Sequence, residues 1–214
     1  MKTSRRSAVD PFIVMDVMEA ARAAEDADRH IIHMEVGQPG TGAPRAATDA
    51  LARAMNDGPL GYTVALGLPA LRARIAQMYG DWYNVDLDPS RVVVTSGSSG
   101  GFILAFTALF DTGDRVAIGA PGYPSYRQIL RALDLQAVDL PAAPENRYQP
   151  VPADFADMDI AGLMVASPAN PTGTMLDHTA MGALIEATHA KGASFISDEI
   201  YHGIEYEAKA VTAL

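Results

Sequence analysis

Apolar positions change their spacing partway along the chain. Over residues 10–28, Ile13, Val14, Val17, Met18 and Ala21 recur at intervals of three and four, which predicts an amphipathic helix packed through that stripe. A short extended segment is predicted over 31–36, and it runs into a loop at 37–44 dense in glycine and proline. Helices are predicted over 44–56 and 69–83. From residue 91 the texture becomes short apolar runs alternating with longer helical stretches. Strands are predicted at 91–95, 115–119, 136–140, 163–167 and 194–197, with helices at 99–110, 123–133 and 177–191 and a looser proline-bearing stretch up to 160. Continuous apolar strands separated by helices predict an α/β fold, with a mostly parallel sheet covered on both faces.

The polar, turn-forming segments fall at the ends of these strands. They are Gly97 to Gly101, Ala120 to Pro124, Ala169 to Gly173 and Asp198 to Tyr201. Open α/β sheets bind ligands at their carboxyl ends, so the four loops are expected to converge on one crevice. No internal repeat or low-complexity tract interrupts the pattern.

Composition narrows the function classes. The chain has 214 residues, 49% of them hydrophobic, which is enough for a sizeable core and too apolar for disorder. It has no cysteine, which removes disulfides and thiolate metal sites. A formal net charge of -10, with no basic cluster beyond Arg5-Arg6, argues against a nucleic-acid partner. The basic start is followed by apolar residues broken by Asp10, Asp16 and Glu19, unlike a signal peptide, and no membrane-spanning run is evident. A soluble cytoplasmic protein is expected. His30, His33, His178, His189 and His202 lack metal-ligand spacing with supporting carboxylates or cysteines, so no metal is expected and they read as structural or surface residues.

Each loop has a plain reading and a chemical one. The run Thr95-Ser96-Gly97-Ser98-Ser99-Gly100-Gly101 can be a serine-capped helix start, or a cradle in which backbone N–H groups and the Ser98 and Ser99 hydroxyls meet an anion. It is neither a phosphate loop ending in Gly-Lys-Ser/Thr nor a full dinucleotide fingerprint. Pro121-Gly122-Tyr123-Pro124 can be a turn, or can hold an aromatic ring ready to stack on a flat ligand. Asn170-Pro171-Thr172-Gly173 is a turn whose Asn170 becomes a candidate ligand because an apolar strand precedes it. Asp198 can cap a helix, or can offer a cationic ligand a carboxylate at the end of a buried strand, with Tyr201 facing the same pocket. No Gly-x-Ser-x-Gly elbow supports serine hydrolase chemistry.

Taken in order, the segments resemble the class I/II pyridoxal-phosphate-dependent aminotransferases, enzymes of fold type I related to aspartate aminotransferase. The resemblance runs from about Val36 to about Tyr206. It implies a three-layer α/β/α fold in which residues 1–43 form an N-terminal helix and arm, part of a small domain, and residues 44–214 the first part of the large cofactor-binding domain. It implies that Gly97, Ser98 and Ser99 bind the phosphate of pyridoxal 5'-phosphate, that Tyr123 stacks on its ring, and that Asn170 and Tyr201 hydrogen-bond its ring oxygen. Asp198 would pair with the pyridine nitrogen, which makes Asp198 and Tyr201 the catalytic candidates. Gly61-Tyr62-Thr63, followed by Gly67-Leu68-Pro69-Ala70-Leu71-Arg72, resembles the segment whose tyrosine reaches the phosphate of a neighbouring subunit, so Tyr62 implies a homodimer. Gly37 falls in the loop that resembles the substrate-carboxylate region.

The activity implied is transfer of an amino group between an α-amino acid and a 2-oxo acid. Family members anchor the cofactor on a Schiff-base lysine, and Lys2, Lys191 and Lys209 match no such motif. The chain is therefore expected to be an N-terminal portion, inactive alone. A lyase or decarboxylase of the same fold, an inactive binding module, and a nucleotide-binding domain using residues 97–101 are the competing readings.

Overall fold

The structure, a computed structural model, describes residues 2–206 and 208–214. Its helices are α1 (Ile13–Asp26), α2 (Arg45–Asp57), α3 (Pro69–Tyr83), α4 (Gly97–Leu109), α5 (Pro124–Ala132) and α6 (His178–Ala190). Its strands are β1 (Arg115–Ala120), β2 (Gln136–Pro141), β3 (Gly162–Ala166) and β4 (Ser194–Asp198). Two compact units result, one of residues 11–68 and one of residues 1–10 with 69–214.

The smaller unit contains α1, α2 and the loops around them. Within it, the His33 imidazole lies 2.6 Å from Glu35 and 2.8 Å from Glu25, so the end of α1 is tied to the segment that follows. Those hydrogen bonds, to Glu35 first and Glu25 second, raise the His33 pKa to about 9. The extended segment predicted over 31–36 forms no strand.

In the larger unit, all three strand pairings are parallel and the strand order is β2-β1-β3-β4. Alternation along the strands sorts the core into two layers. Val116 and Ile118 of β1 and Met164 of β3 pack with Phe102 and Phe106 of α4 and Tyr126 and Leu130 of α5. Ala117, Leu163 and Val165 turn the other way, onto Met181 and Leu184 of α6. The three-layer α/β/α arrangement predicted from the sequence is therefore present. The β1–β2 and β3–β4 crossovers lie on opposite faces because the chain leaves β1 in one direction for β2 and leaves β3 in the other for β4, and parallel crossovers keep one hand.

Both crossover helices stop by the same device. After α6, Gly192 adopts φ 69°, its N–H reaching the His189 carbonyl and that of Ala193 the Thr188 carbonyl. After α5, Asp134 takes the left-handed position at φ 64°, with its N–H on Arg131 and that of Leu135 on Leu130. These paired bonds form the Schellman arrangement that satisfies the last carbonyls of a helix and turns the chain back toward the sheet.

The strand predicted at 91–95 is not formed. Residues 89–91 make a 3-10 turn, and Val92, although extended, bonds back to the Pro89 carbonyl. Extended backbone becomes a strand only beside a partner, and residues 92–94 have no strand neighbour in the sheet. The helix expected from 99 begins earlier, at Gly97.

Candidate active site

Strand order locates the crevice. β1 and β3 are neighbours whose onward connections run in opposite directions, so the space outside their carboxyl ends is not crossed by a connecting helix. Tyr123 and Tyr126 follow β1, Asn170 follows β3, and Asp198 ends the adjacent β4.

Asp198 is the chemical centre of this region. It lies two residues after Ile196, on the face of β4 that meets the α4–α5 layer, and it is buried at 7% exposure. A carboxylate there needs donors. The Tyr126 hydroxyl donates to Oδ2 at 2.5 Å, and the Ile200 N–H donates to Oδ1 at 3.1 Å. Burial raises the Tyr126 pKa first, the hydrogen bond to Asp198 and the carboxylate charge follow, and Tyr201 and Tyr123 add smaller contributions. The phenol is thus kept protonated and available as a donor.

Aromatic rings build one wall. Tyr123 meets Tyr126 edge to face with ring centroids 5.4 Å apart, and Phe102 from α4 meets the same Tyr126 ring at 5.3 Å. Pro124 at the first helical position fixes the entry to α5 and so the placement of Tyr123 just before it. Gly122 permits this turn, because a Cβ there would sit 2.4 Å from the Gly119 carbonyl oxygen.

Asn170 and Tyr201, 31 positions apart, are brought together by the parallel pairing of β3 and β4. The Asn170 amide donates to the Tyr201 hydroxyl at 3.2 Å. A ligand oxygen approaching this pair would meet one amide donor and one phenolic donor.

The third part is the start of α4. Ser96 makes no side-chain cap, Ser98 and Ser99 are exposed, and Gly97 takes φ 71° with nothing within 4 Å of where a Cβ would stand. Thr95 Oγ1 instead donates to the Gly97 carbonyl at 2.7 Å. The Gly97 N–H is bonded to the Thr95 carbonyl at 2.9 Å, so an anion at this helix start, favoured there by the helix dipole, would meet the N–H groups that follow it. Phe102, one turn on, ties this helix to Tyr126.

The sequence-predicted residues thus divide into two groups. Tyr123, Asn170, Asp198 and Tyr201 stand around the sheet's carboxyl ends with Gly97, Ser98 and Ser99 in the same unit. Gly37 and Tyr62 belong to the other unit, where the Tyr62 side chain is fully exposed. Tyr126, which carries no motif of its own in the sequence, joins the first group through Asp198, and its place three positions after Tyr123, in the first turn of a helix, brings both rings to one side. His202, read as a structural or surface residue, has a side chain only 7% exposed. Lys191 donates to the Ala156 and Met158 carbonyls at 2.6 and 3.0 Å, a structural tie beyond the end of α6. No group of metal-ligating side chains exists among the described residues.

Fold and site define a doubly wound α/β domain whose switch point joins a buried carboxylate, an aromatic wall, a paired amide and phenol, and an open helix start. The model of aminotransferase class I and II matches residues 29–214. The valine–pyruvate aminotransferase of Mycobacterium tuberculosis is 44% identical over 99% of this chain and 55% of its own length. A solved protein from Silicibacter pomeroyi is 77% identical with a TM-score of 0.91, covering all of this chain and 55% of that one. Aspartate aminotransferase from Thermus thermophilus, solved with maleate, gives a TM-score of 0.94 at 26% identity, over all of this chain and 57% of that one. The chain belongs to the class I and II aminotransferases, enzymes generally dependent on pyridoxal phosphate. It spans about half the length of the relatives it matches.

Proposed function

We propose that the protein acts as a pyridoxal-phosphate-dependent aminotransferase on an α-amino acid and a 2-oxo acid, as a cytoplasmic homodimer, and that this chain carries the cofactor-gripping part of it. The observation that supports the reading most is the buried Asp198 beside the Asn170–Tyr201 pair, an acceptor suited to a protonated ring nitrogen next to two donors suited to a ring oxygen. Residues 44–214 then form the first part of the large domain and residues 1–43 an arm. When bound, pyridoxal phosphate supplies an aldehyde for the substrate amine and a protonated ring that draws electrons from the α-carbon.

The residues of the chain supply position and charge. Asp198 holds a proton on the ring nitrogen, and Tyr126 orients the carboxylate that does so. Asn170 and Tyr201 hydrogen-bond the ring oxygen, Tyr123 covers the ring face, and Gly97, Ser98 and Ser99 take the phosphate through N–H and hydroxyl groups. Tyr62 reaches the phosphate of a neighbouring subunit and Gly37 lines the substrate-carboxylate region. An absorbance titration of the chain with pyridoxal phosphate tests this. Saturable binding that is lost in Asp198→Ala supports it, and equal binding by both proteins overturns the assignment of Asp198.

A further inference from the structure

The regular ladder between β3 and β4 ends where Ala166 stands opposite Asp198, and one more backbone bond, from the Ser167 N–H to the Asp198 carbonyl at 3.1 Å, closes it. Asn170 and Tyr201 each lie three residues beyond these points, on separate loops. The pairing brings the two loops alongside, their side chains meet at 3.2 Å, and contacts beyond the ladder hold the loops themselves.

His202 supplies one. Its Nε2 lies 2.9 Å from the Ser167 carbonyl and its Nδ1 lies 2.6 Å from the Tyr83 hydroxyl, at the last residue of α3. A carbonyl only accepts, so Nε2 carries the hydrogen; in the neutral ring Nδ1 then accepts, and Tyr83 donates. Burial, followed by the Glu199 charge, raises the Tyr83 pKa to about 12 and keeps that donor in place. The two rings also pack at a centroid distance of 5.5 Å. Ser167 is itself fully buried, its hydroxyl accepting from the Leu176 N–H at 2.9 Å, so the carbonyl that His202 holds is a fixed point. Glu199, 3.7 Å from Nδ1, is meanwhile engaged by Ser197, Thr212 and the Ala213 N–H.

We propose that His202 is a positioning residue that sets the spacing of Asn170 and Tyr201, and through it the strength with which the site holds a ring hydroxyl. The role rests on the cofactor reading above and concerns a residue that does not itself touch the cofactor. A ring that merely filled space would serve as well as phenylalanine; the two polar contacts would not survive that change.

The test compares wild type with His202→Phe, which keeps a ring, His202→Gln, which restores a donor toward Ser167, and Tyr83→Phe, which removes only the donor to Nδ1. The first readout is the Asn170 side-chain amide in nitrogen–proton NMR spectra of the ligand-free chain. It shifts and loses exchange protection in His202→Phe, changes less in Tyr83→Phe, and recovers in His202→Gln. The second readout is affinity for pyridoxal phosphate and for the analogue in which hydrogen replaces the ring hydroxyl. His202→Phe weakens the first about three- to tenfold, the effect of one or two hydrogen bonds, and leaves the second unchanged. An unmoved Asn170 amide, or equal losses for both ligands, overturns the positioning role. Should wild type bind neither ligand, the cofactor reading fails while the amide readout still decides the role of His202. If His202→Phe does not fold, Tyr83→Phe carries the same two comparisons.

Discussion

Tyr126 shows how a side chain with no evident task in the sequence becomes part of a site. Its hydroxyl provides one of two hydrogen bonds to a buried carboxylate. Replacing it by phenylalanine removes a charge-assisted bond without opening a cavity, and a loss of about 1–3 kcal/mol is expected in urea unfolding. Tyr83 and Tyr126 also predict the alkaline limit of stability. Folding raises both pKa values above the ordinary 10.0, Tyr83 to about 12. Above pH 10.0 the folded state thus holds more protons than the unfolded one, and stability falls as pH rises through that interval. Urea midpoints measured across this range should decline for wild type and decline less for Tyr83→Phe. The placement of Asp198, Asn170 and Tyr201 at the carboxyl ends of the sheet was legible in the sequence because each lies at or just beyond the end of an apolar strand. Tyr126 and His202 were not, since their roles depend on partners 72 and 35 positions away that no local pattern connects.

At the scale of elements, close packing decides which substitutions the sheet tolerates. Gly162 begins β3 where a Cβ would stand 2.4 Å from the Phe110 ring. Gly162→Ala should therefore cost about 1–3 kcal/mol by overpacking, and Phe110→Leu in the same chain should return part of that loss. The crossover helices were predicted within a residue or two because their ends carry local signals: Pro124 opens α5, Asp177 caps α6 by accepting from the Ala180 N–H, and Gly192 closes it. The strand predicted at 91–95 had the right apolar run, Val92 to Val94, but a run reports burial and extension, while a strand also needs a neighbour to pair with. Gly97 at positive φ starts α4 two residues before the predicted start at 99 and ahead of its first large apolar side chain, Phe102, which periodicity cannot register.

Across the whole molecule, apolar surface remains uncovered. α4 carries no charged residue, and its outward positions Ile103, Leu104 and Leu109 are 47%, 58% and 48% exposed. A helix apolar on all sides belongs in an interior, and a patch of this kind promotes association. The 214-residue chain should bind a hydrophobic dye and sediment with concentration-dependent mass, and Leu104→Glu should lower both. No helix among the described residues is long and apolar enough to cross a membrane.

The strand order β2-β1-β3-β4 bears on how the protein is made. Numbered as they leave the ribosome, the strands assemble by accretion: β2 joins one side of β1, β3 the other, and β4 the outer side of β3. Among these four described strands, none must wedge between two already joined. Each crossover can thus lay its strand onto an existing edge as translation proceeds, and these four carboxyl ends come into line only when β4, carrying Asp198, has been added.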